Sequence, residues 1–221
     1  MSMRELMLGK SGGKTGWQHL KDRWNSAKQQ ERYDELLAKL PNPLGLQPGD
    51  LVDIGWADKD SYEVELLCAY VTPGEDPDFT RYSLRPLIGD GDGCVLEAMP
   101  SGEHGELLFS LLEREDDVPL DDETVAMLED DVLFYPRRGR ETEHHKDFEV
   151  EVKITVLAAD KSSREFGAFC FNFFEAEDDN SYVAIDALDH PVNTAHVYVG
   201  KAVDEGMVDA TGTAPGADRW R

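Results

Sequence analysis

Phe148-Glu149-Val150-Glu151-Val152-Lys153-Ile154-Thr155-Val156-Leu157 alternates apolar and polar residues without a break. In an extended chain successive side chains point to opposite faces. Phe148, Val150, Val152, Ile154 and Val156 then share one face, and Glu149, Glu151, Lys153 and Thr155 share the other. A helix would scatter the same apolar residues around its circumference. The stretch therefore reads as a strand with one covered face, and it sets the class as mainly β.

Its neighbours carry the same signal. Phe166 to Phe174 is almost wholly apolar or aromatic and predicts a buried central strand, separated from the first by the polar loop Ala158–Ser163. Tyr182–Ile185 and Ala195–Val199 predict two more strands, and Val132–Tyr135 a short one before them. Earlier, Leu51–Ile54, Tyr62–Val71, Phe79–Leu87 and Cys94–Met99 read as strands between turns such as Gln47-Pro48-Gly49-Asp50 and Gly89-Asp90-Gly91-Asp92-Gly93. Short strands joined by Gly, Pro and Asp turns suit a meander or small barrel. Leu107–Leu112 fits strand or helix.

Two segments have helical spacing. Residues Gly16 to Leu40 place Trp17, Leu20, Trp24, Tyr33, Leu36, Leu37 and Leu40 in one drifting apolar stripe. Lys21, Arg23, Lys28, Arg32 and Lys39 form a basic polar side. Thr15 and Gln18 have capping-box spacing, and Pro41-Asn42-Pro43 stops the helix. This amphipathic helix could pack on the protein's own body, or meet a protein partner or an anionic membrane surface. In either of the last two cases Lys21, Arg23, Lys28 and Arg32 are the candidate interaction residues. Asp121–Leu128 reads as a short helix with acids at its start.

The two β stretches resemble each other in order. Asp50-Leu51-Val52 pairs with Asp131-Val132-Leu133, Tyr62-Glu63-Val64-Glu65-Leu66 with Phe148-Glu149-Val150-Glu151-Val152, and Leu96-Glu97-Ala98-Met99 with Ile185-Asp186-Ala187-Leu188. A tandem duplication and the general likeness of amphipathic strands both explain this. The expected organisation is a basic leader and helix over 1–43, then two small antiparallel β modules. The first covers 44–120, the second, with the short helix, covers 121–207, and a loose tail runs over 208–221.

Charge divides the chain. Lys and Arg number 22 against 46 Asp and Glu, a net of -24. Residues 1–40 hold eight basic and five acidic residues, while the remainder holds fourteen and forty-one. Such a field repels nucleic acid phosphate, so direct nucleic acid binding is not expected. A solvated surface, a surface for a basic partner and a mimic of nucleic acid charge all remain open. Cys68, Cys94 and Cys170 are odd in number and form no C-x-x-C pair. They read as buried thiols rather than a disulfide framework. No run reaches the length of a membrane span, and the first residues lack the apolar core of a secretory signal. The expectation is a cytoplasmic protein, with peripheral membrane contact through the helix left open.

Chemical motifs are sparse. Gly9-Lys10-Ser11-Gly12-Gly13-Lys14-Thr15 approaches a phosphate-binding loop, but the first glycine of the pattern would fall at Leu8. Glu141, His144 and His145 are the weak candidates for metal ligation, since imidazole and carboxylate suit zinc or manganese. They lack the i, i+4 helical spacing of a strong site. No nucleophile elbow occurs, and no cofactor is expected.

Two resemblances follow from these residues. Glu149-x-Glu151-x-Lys153 is similar to the ExExK signature of CYTH-type triphosphate tunnel enzymes, where the motif implies acids near a metal and a lysine near a polyphosphate. In that family the signature opens the domain and a basic tunnel follows. Here only five basic residues follow Lys153. Leu44-Gly45-Leu46-Gln47-Pro48-Gly49-Asp50-Leu51-Val52, with Tyr62-Glu63-Val64 and Arg81-Tyr82-Ser83-Leu84, resembles uncharacterised bacterial β-domain proteins encoded near PspA-type membrane-stress genes. That resemblance implies an accessory role in a membrane-stress system and assigns no catalytic residue.

The sequence thus favours a non-enzymatic binding or assembly factor that meets a protein partner. The alternatives are a metal-dependent enzyme or ligand-binding protein using the cleft between the β modules, and an acidic mimic of nucleic acid.

Overall fold

A computed structural model gives the fold. It describes residues 16–55, 60–74, 77–88, 93–101, 106–137, 140–176, 178–189 and 192–210. At 16–24, 101, 137, 140 and 178–180 the description covers the backbone alone. The phosphate-loop-like segment 9–15 and the side chains of Lys21 and Arg23 lie outside the described residues.

The first half of the chain runs from helix α1 (Gly16–Leu37) into strands β1 (Leu51–Ile54), β2 (Asp60–Val71), β3 (Phe79–Pro86), β4 (Cys94–Ser101) and β5 (Glu106–Pro119). The second half runs from helix α2 (Asp122–Glu129) into β6 (Val132–Arg137), β7 (Arg140–Ala158), β8 (Ser163–Glu175), β9 (Asp178–Leu188) and β10 (Thr194–Val203). A 3-10 turn at Glu205–Met207 leads to a two-residue strand, β11 (Val208–Asp209). The segment left open between strand and helix, Leu107–Leu112, is strand. Asp121 caps α2 by accepting from the Thr124 amide at 2.9 Å, which satisfies one of the donors a helix start leaves open.

All pairings are antiparallel and join in one sheet, in the order β11-β1-β2-β3-β4-β5-β10-β9-β8-β7-β6. A further pairing of β2 with β7, centred on Cys68↔Val156 and Ala69↔Thr155, turns eight of these strands into a closed ring. The two expected β modules are therefore not two separate sheets. They share one barrel, joined along β2–β7 and β5–β10. Closure leaves none of the eight ring strands with an unpaired edge.

Alternation along each strand now acquires an inside and an outside. Outward residues of the first half, among them Leu67, Ala69, Tyr82 and Leu96, are covered by Tyr33, Leu46 and Val52, with Leu36, Leu37 and Leu40 packed alongside. Thr80 Oγ1 donates to the Pro41 carbonyl at 2.6 Å, and Tyr82 OH donates to Asn42 Oδ1 at 2.7 Å, which fixes the Pro-containing linker on the wall. Outward residues of the second half, Phe171, Phe173, Val183, Ile185 and Val197, lie under Leu128 of α2 and Leu133 of β6. Among the described residues, no helix is long and apolar enough to cross a membrane.

Candidate functional site

The inward faces meet at a charged cluster. Arg81 of β3 is fully buried between Glu97 of the neighbouring strand β4 and Asp186 of β9 on the facing wall; their relative exposures are 2, 3 and 1%. The Arg81–Glu97 contact follows from register, because the two residues are direct cross-strand partners. Arg81 Nε donates to Glu97 Oε2 at 2.8 Å, and its Nη1 lies 2.7 and 2.6 Å from the two Asp186 oxygens. The remaining acceptor capacity is also used. Tyr70 OH donates to Asp186 Oδ2 at 2.8 Å, Cys170 Sγ to Asp186 Oδ1 at 3.2 Å, and Tyr182 OH to Glu97 Oε1 at 3.0 Å. The guanidinium lies over the rings of Tyr70, Tyr198 and Phe79, at 4.9, 5.0 and 5.5 Å from their centroids.

Burial opposes the charge on Arg81, but Asp186, Tyr70 and Glu97 around it prevail and hold it protonated well above the usual arginine value. Burial, followed by the charge of Asp186, pushes the Tyr70 hydroxyl far up as well, so it serves as a donor.

The cluster is a septum across the lumen, with a cavity on either side. The first has a volume of about 300 Å³. Its wall includes Cys68, Arg81, Arg114, Asp186, His196 and Tyr198. Burial, and then the charge of Arg114, lower the His196 value below the ordinary imidazole range. The second cavity, at the opposite end, has a volume of about 530 Å³. Glu97, Asp147, Phe148, Asn172, Phe174 and Tyr182 contribute to its wall. Asp147 is the extra residue of a β-bulge in β7, between Lys146 and Phe148.

Of the three thiols expected to be buried, only Cys170 is; Cys68 and Cys94 are half-buried on the wall of the first cavity. All three are poor nucleophiles. Burial pushes Cys68 up to about 12 and Cys94 up to about 11, and Cys170 well above its ordinary value. At pH 8 all three are expected to react with a disulfide reagent far more slowly in the native protein than in urea. Equal rates in the two states would show that the barrel wall does not protect them. The folded state binds these protons more tightly than the unfolded one. Their contribution to stability is therefore complete below the unperturbed value of 9.0 and is lost as pH rises through about 11 and 12. Urea midpoints should accordingly fall from pH 9 upward, and a flat profile to pH 11 would count against it.

The residues singled out from sequence lie elsewhere. Glu141, His144 and His145 all sit on β7, but the strand sends neighbours to opposite faces. His144 is fully buried, with Nδ1 3.1 Å from the Thr142 carbonyl, whereas His145 is exposed and 3.0 Å from Glu143. The structure does not bring the three together. Among the described residues no group of three or more His, Cys, Asp or Glu side chains is arranged to hold a metal. Glu149, Glu151 and Lys153 are exposed on the outside of the barrel, where Lys153 bridges Glu165 at 3.0 Å. Tunnel chemistry would need them inside. Lys28 and Arg32 are exposed on α1.

Arg81, Glu97 and Asp186 were missed, although the sequence held a signal for them. Each shares its strand parity with inward apolar or aromatic residues, as Arg81 does with Phe79. Glu97 and Asp186 also occupy the same place in the matched segments Leu96–Met99 and Ile185–Leu188. No family model, curated protein or solved structure matches this chain.

Proposed function

We propose that this is a non-catalytic binding protein whose ligand site is the barrel interior, where the two halves of the chain meet. The observation that supports it is the sealed charge septum with a cavity at either end. Volumes of about 300 and about 530 Å³ suit small molecules. The groups best able to do chemistry there are held in check. The thiols are kept protonated, and the Arg81, Glu97 and Asp186 charges are engaged with one another. Thermal unfolding of the full chain against small anions, cations and neutral apolar compounds tests the reading. At least one class should raise the transition temperature saturably and be recovered unchanged. A compound consumed with turnover would make the protein an enzyme, and no shift with any class would remove the reading.

The same junction supports a tandem duplication. Each half runs helix then five strands, the halves pair with each other as β2–β7 and β5–β10, and each lends one inward acid to Arg81. Superposing the backbones of 50–119 and 131–203 should align strand on strand in order. A fit that required a different strand order would end the idea.

A second reading, docking of a partner protein on α1, rests on one observation. Tyr33, Leu36 and Leu37 hold the end of this helix on the barrel wall while Lys28 and Arg32 stay exposed. An accessory role at a membrane-stress complex would operate through this face. Reversing both charges, Lys28→Glu with Arg32→Glu, should abolish partner capture at unchanged thermal stability. Capture at wild-type level would eliminate the reading.

A further inference from the structure

The second cavity has a chemistry of its own. Asp147 and, just after β10, Asp204 and Glu205 are among the residues that line it, Asp204 Oδ1 accepting from the Gly206 amide at 2.9 Å, and Glu97 lies on its septum side. Among the described residues, no Lys, Arg or His contributes to that wall. Phe148, Phe174 and Tyr182 supply rings, with Phe174 and Tyr182 stacked at 5.2 Å between centroids. Asn172 gives an independent pointer. It is 7% exposed, and its buried Oδ1 has no hydrogen-bond partner in the protein. A buried carbonyl oxygen without a donor costs free energy, so such an atom calls for a donor from elsewhere. The first cavity differs, since Arg81, Arg114 and His196 are in its wall.

Carboxylates attract a positive charge, and aromatic faces favour a cation that sheds part of its water. An unsatisfied acceptor selects a cation that carries N–H groups. A bare metal ion fits poorly, because hard cations take a shell of several oxygens and, among the described residues, no three acidic side chains are grouped to hold one. We infer that the cavity between β4, β5, β7, β8, β9 and β10 binds an organic ammonium ion, an aliphatic amine or polyamine. Its N–H donates to Asn172 Oδ1, its alkyl segment lies along Phe174 and Tyr182, and its charge faces Asp147 and the Asp204–Glu205 rim. The inference rests on the barrel interior being a ligand site and names the ligand class of one end.

Calorimetric titration of the full chain with spermidine and putrescine, at 150 mM salt, tests it (about that ionic strength screens exposed charge beyond roughly 8 Å). Magnesium chloride at matched ionic strength is the control for counterion binding. One saturable site is expected for the amines and none for magnesium. Asn172→Leu and Asp147→Asn should each weaken amine binding about tenfold, the loss of one hydrogen bond to a charged group or of one nearby charge. Glu113→Gln, on the exposed face of β5, should leave it unchanged. Asp147 is exposed, so its variant keeps the test open even if Asn172→Leu folds poorly. Equal competition by magnesium, or an affinity indifferent to both cavity variants, would overturn the inference. A neutral or anionic compound that binds this end would overturn it while leaving the barrel-ligand reading intact. Absence of any ligand for either cavity would sink both.

Discussion

Replacing Arg81 with methionine is expected to destabilise the protein by about 3–5 kcal/mol, because it strands Glu97 and Asp186 inside the barrel without their counter-charge. That is a large fraction of the roughly 5–15 kcal/mol that separates folded from unfolded states in ordinary domains. The geometry explains the size. One guanidinium serves two carboxylates from opposite walls at 2.6 to 2.8 Å, and all three side chains are sealed from water. The loss comes from unpaired charge rather than from a missing favourable contact. A triple variant, Arg81→Met with Glu97→Gln and Asp186→Asn, should therefore recover most of it, since Tyr70 and Tyr182 can still bond to the amides. Urea denaturation of both variants decides the matter. A triple variant as unstable as the single one would show that the ion pairs themselves carry stability.

Phe173→Ala is expected to cost about 3–5 kcal/mol, while Phe169→Ala on the same strand and face should cost under about 1 kcal/mol. Both side chains point outward from β8. Phe173 is completely buried in the cluster that includes Leu128 and Leu133, whereas Phe169 is 40% exposed. Removing Phe173 leaves a cavity beneath α2 and β6, and removing Phe169 leaves only a smaller surface. Equal midpoints for the two variants would mean that α2 and β6 contribute little to the fold.

That pair also shows how far the sequence can be read. Alternation in Phe148–Leu157 and the apolar run Phe166–Phe174 marked the middle of β7 and β8, because the two-residue period is local chemistry, but not the extension of β7 back to Arg140 through the segment read as a loop. Pro41–Pro43 and the acids from Asp121 placed the helix limits only within a few residues: α1 ends at Leu37 rather than Leu40, and Asp121 is the cap of α2 rather than its first residue. Alternation names two faces but does not say what covers either. Phe169 and Phe173 are chemically alike, and only the position of α2 separates them. The candidate site was harder to read. Its three charged members come from β3, β4 and β9, and Asp186 lies 105 residues from Arg81. Charged residues attract attention when they cluster in sequence, as at Glu141–Asp147, and these do not.

The alternating stretch Phe148–Leu157 therefore determined by itself that the chain is mainly β, and which of its residues share a face. The sequence also settled the opposite charges of the helix region and the remainder. Tertiary structure alone decided that the two β stretches form one ring, that Val150, Val152 and Ile154 face a lumen rather than a second layer, and that an arginine and two acids meet there. The reason is physical. Strand periodicity depends on adjacent residues, whereas the β2–β7 pairing that closes the barrel depends on residues such as Cys68 and Val156, far apart in the chain, finding one register. Until that register exists, inside and outside are not properties of the sequence.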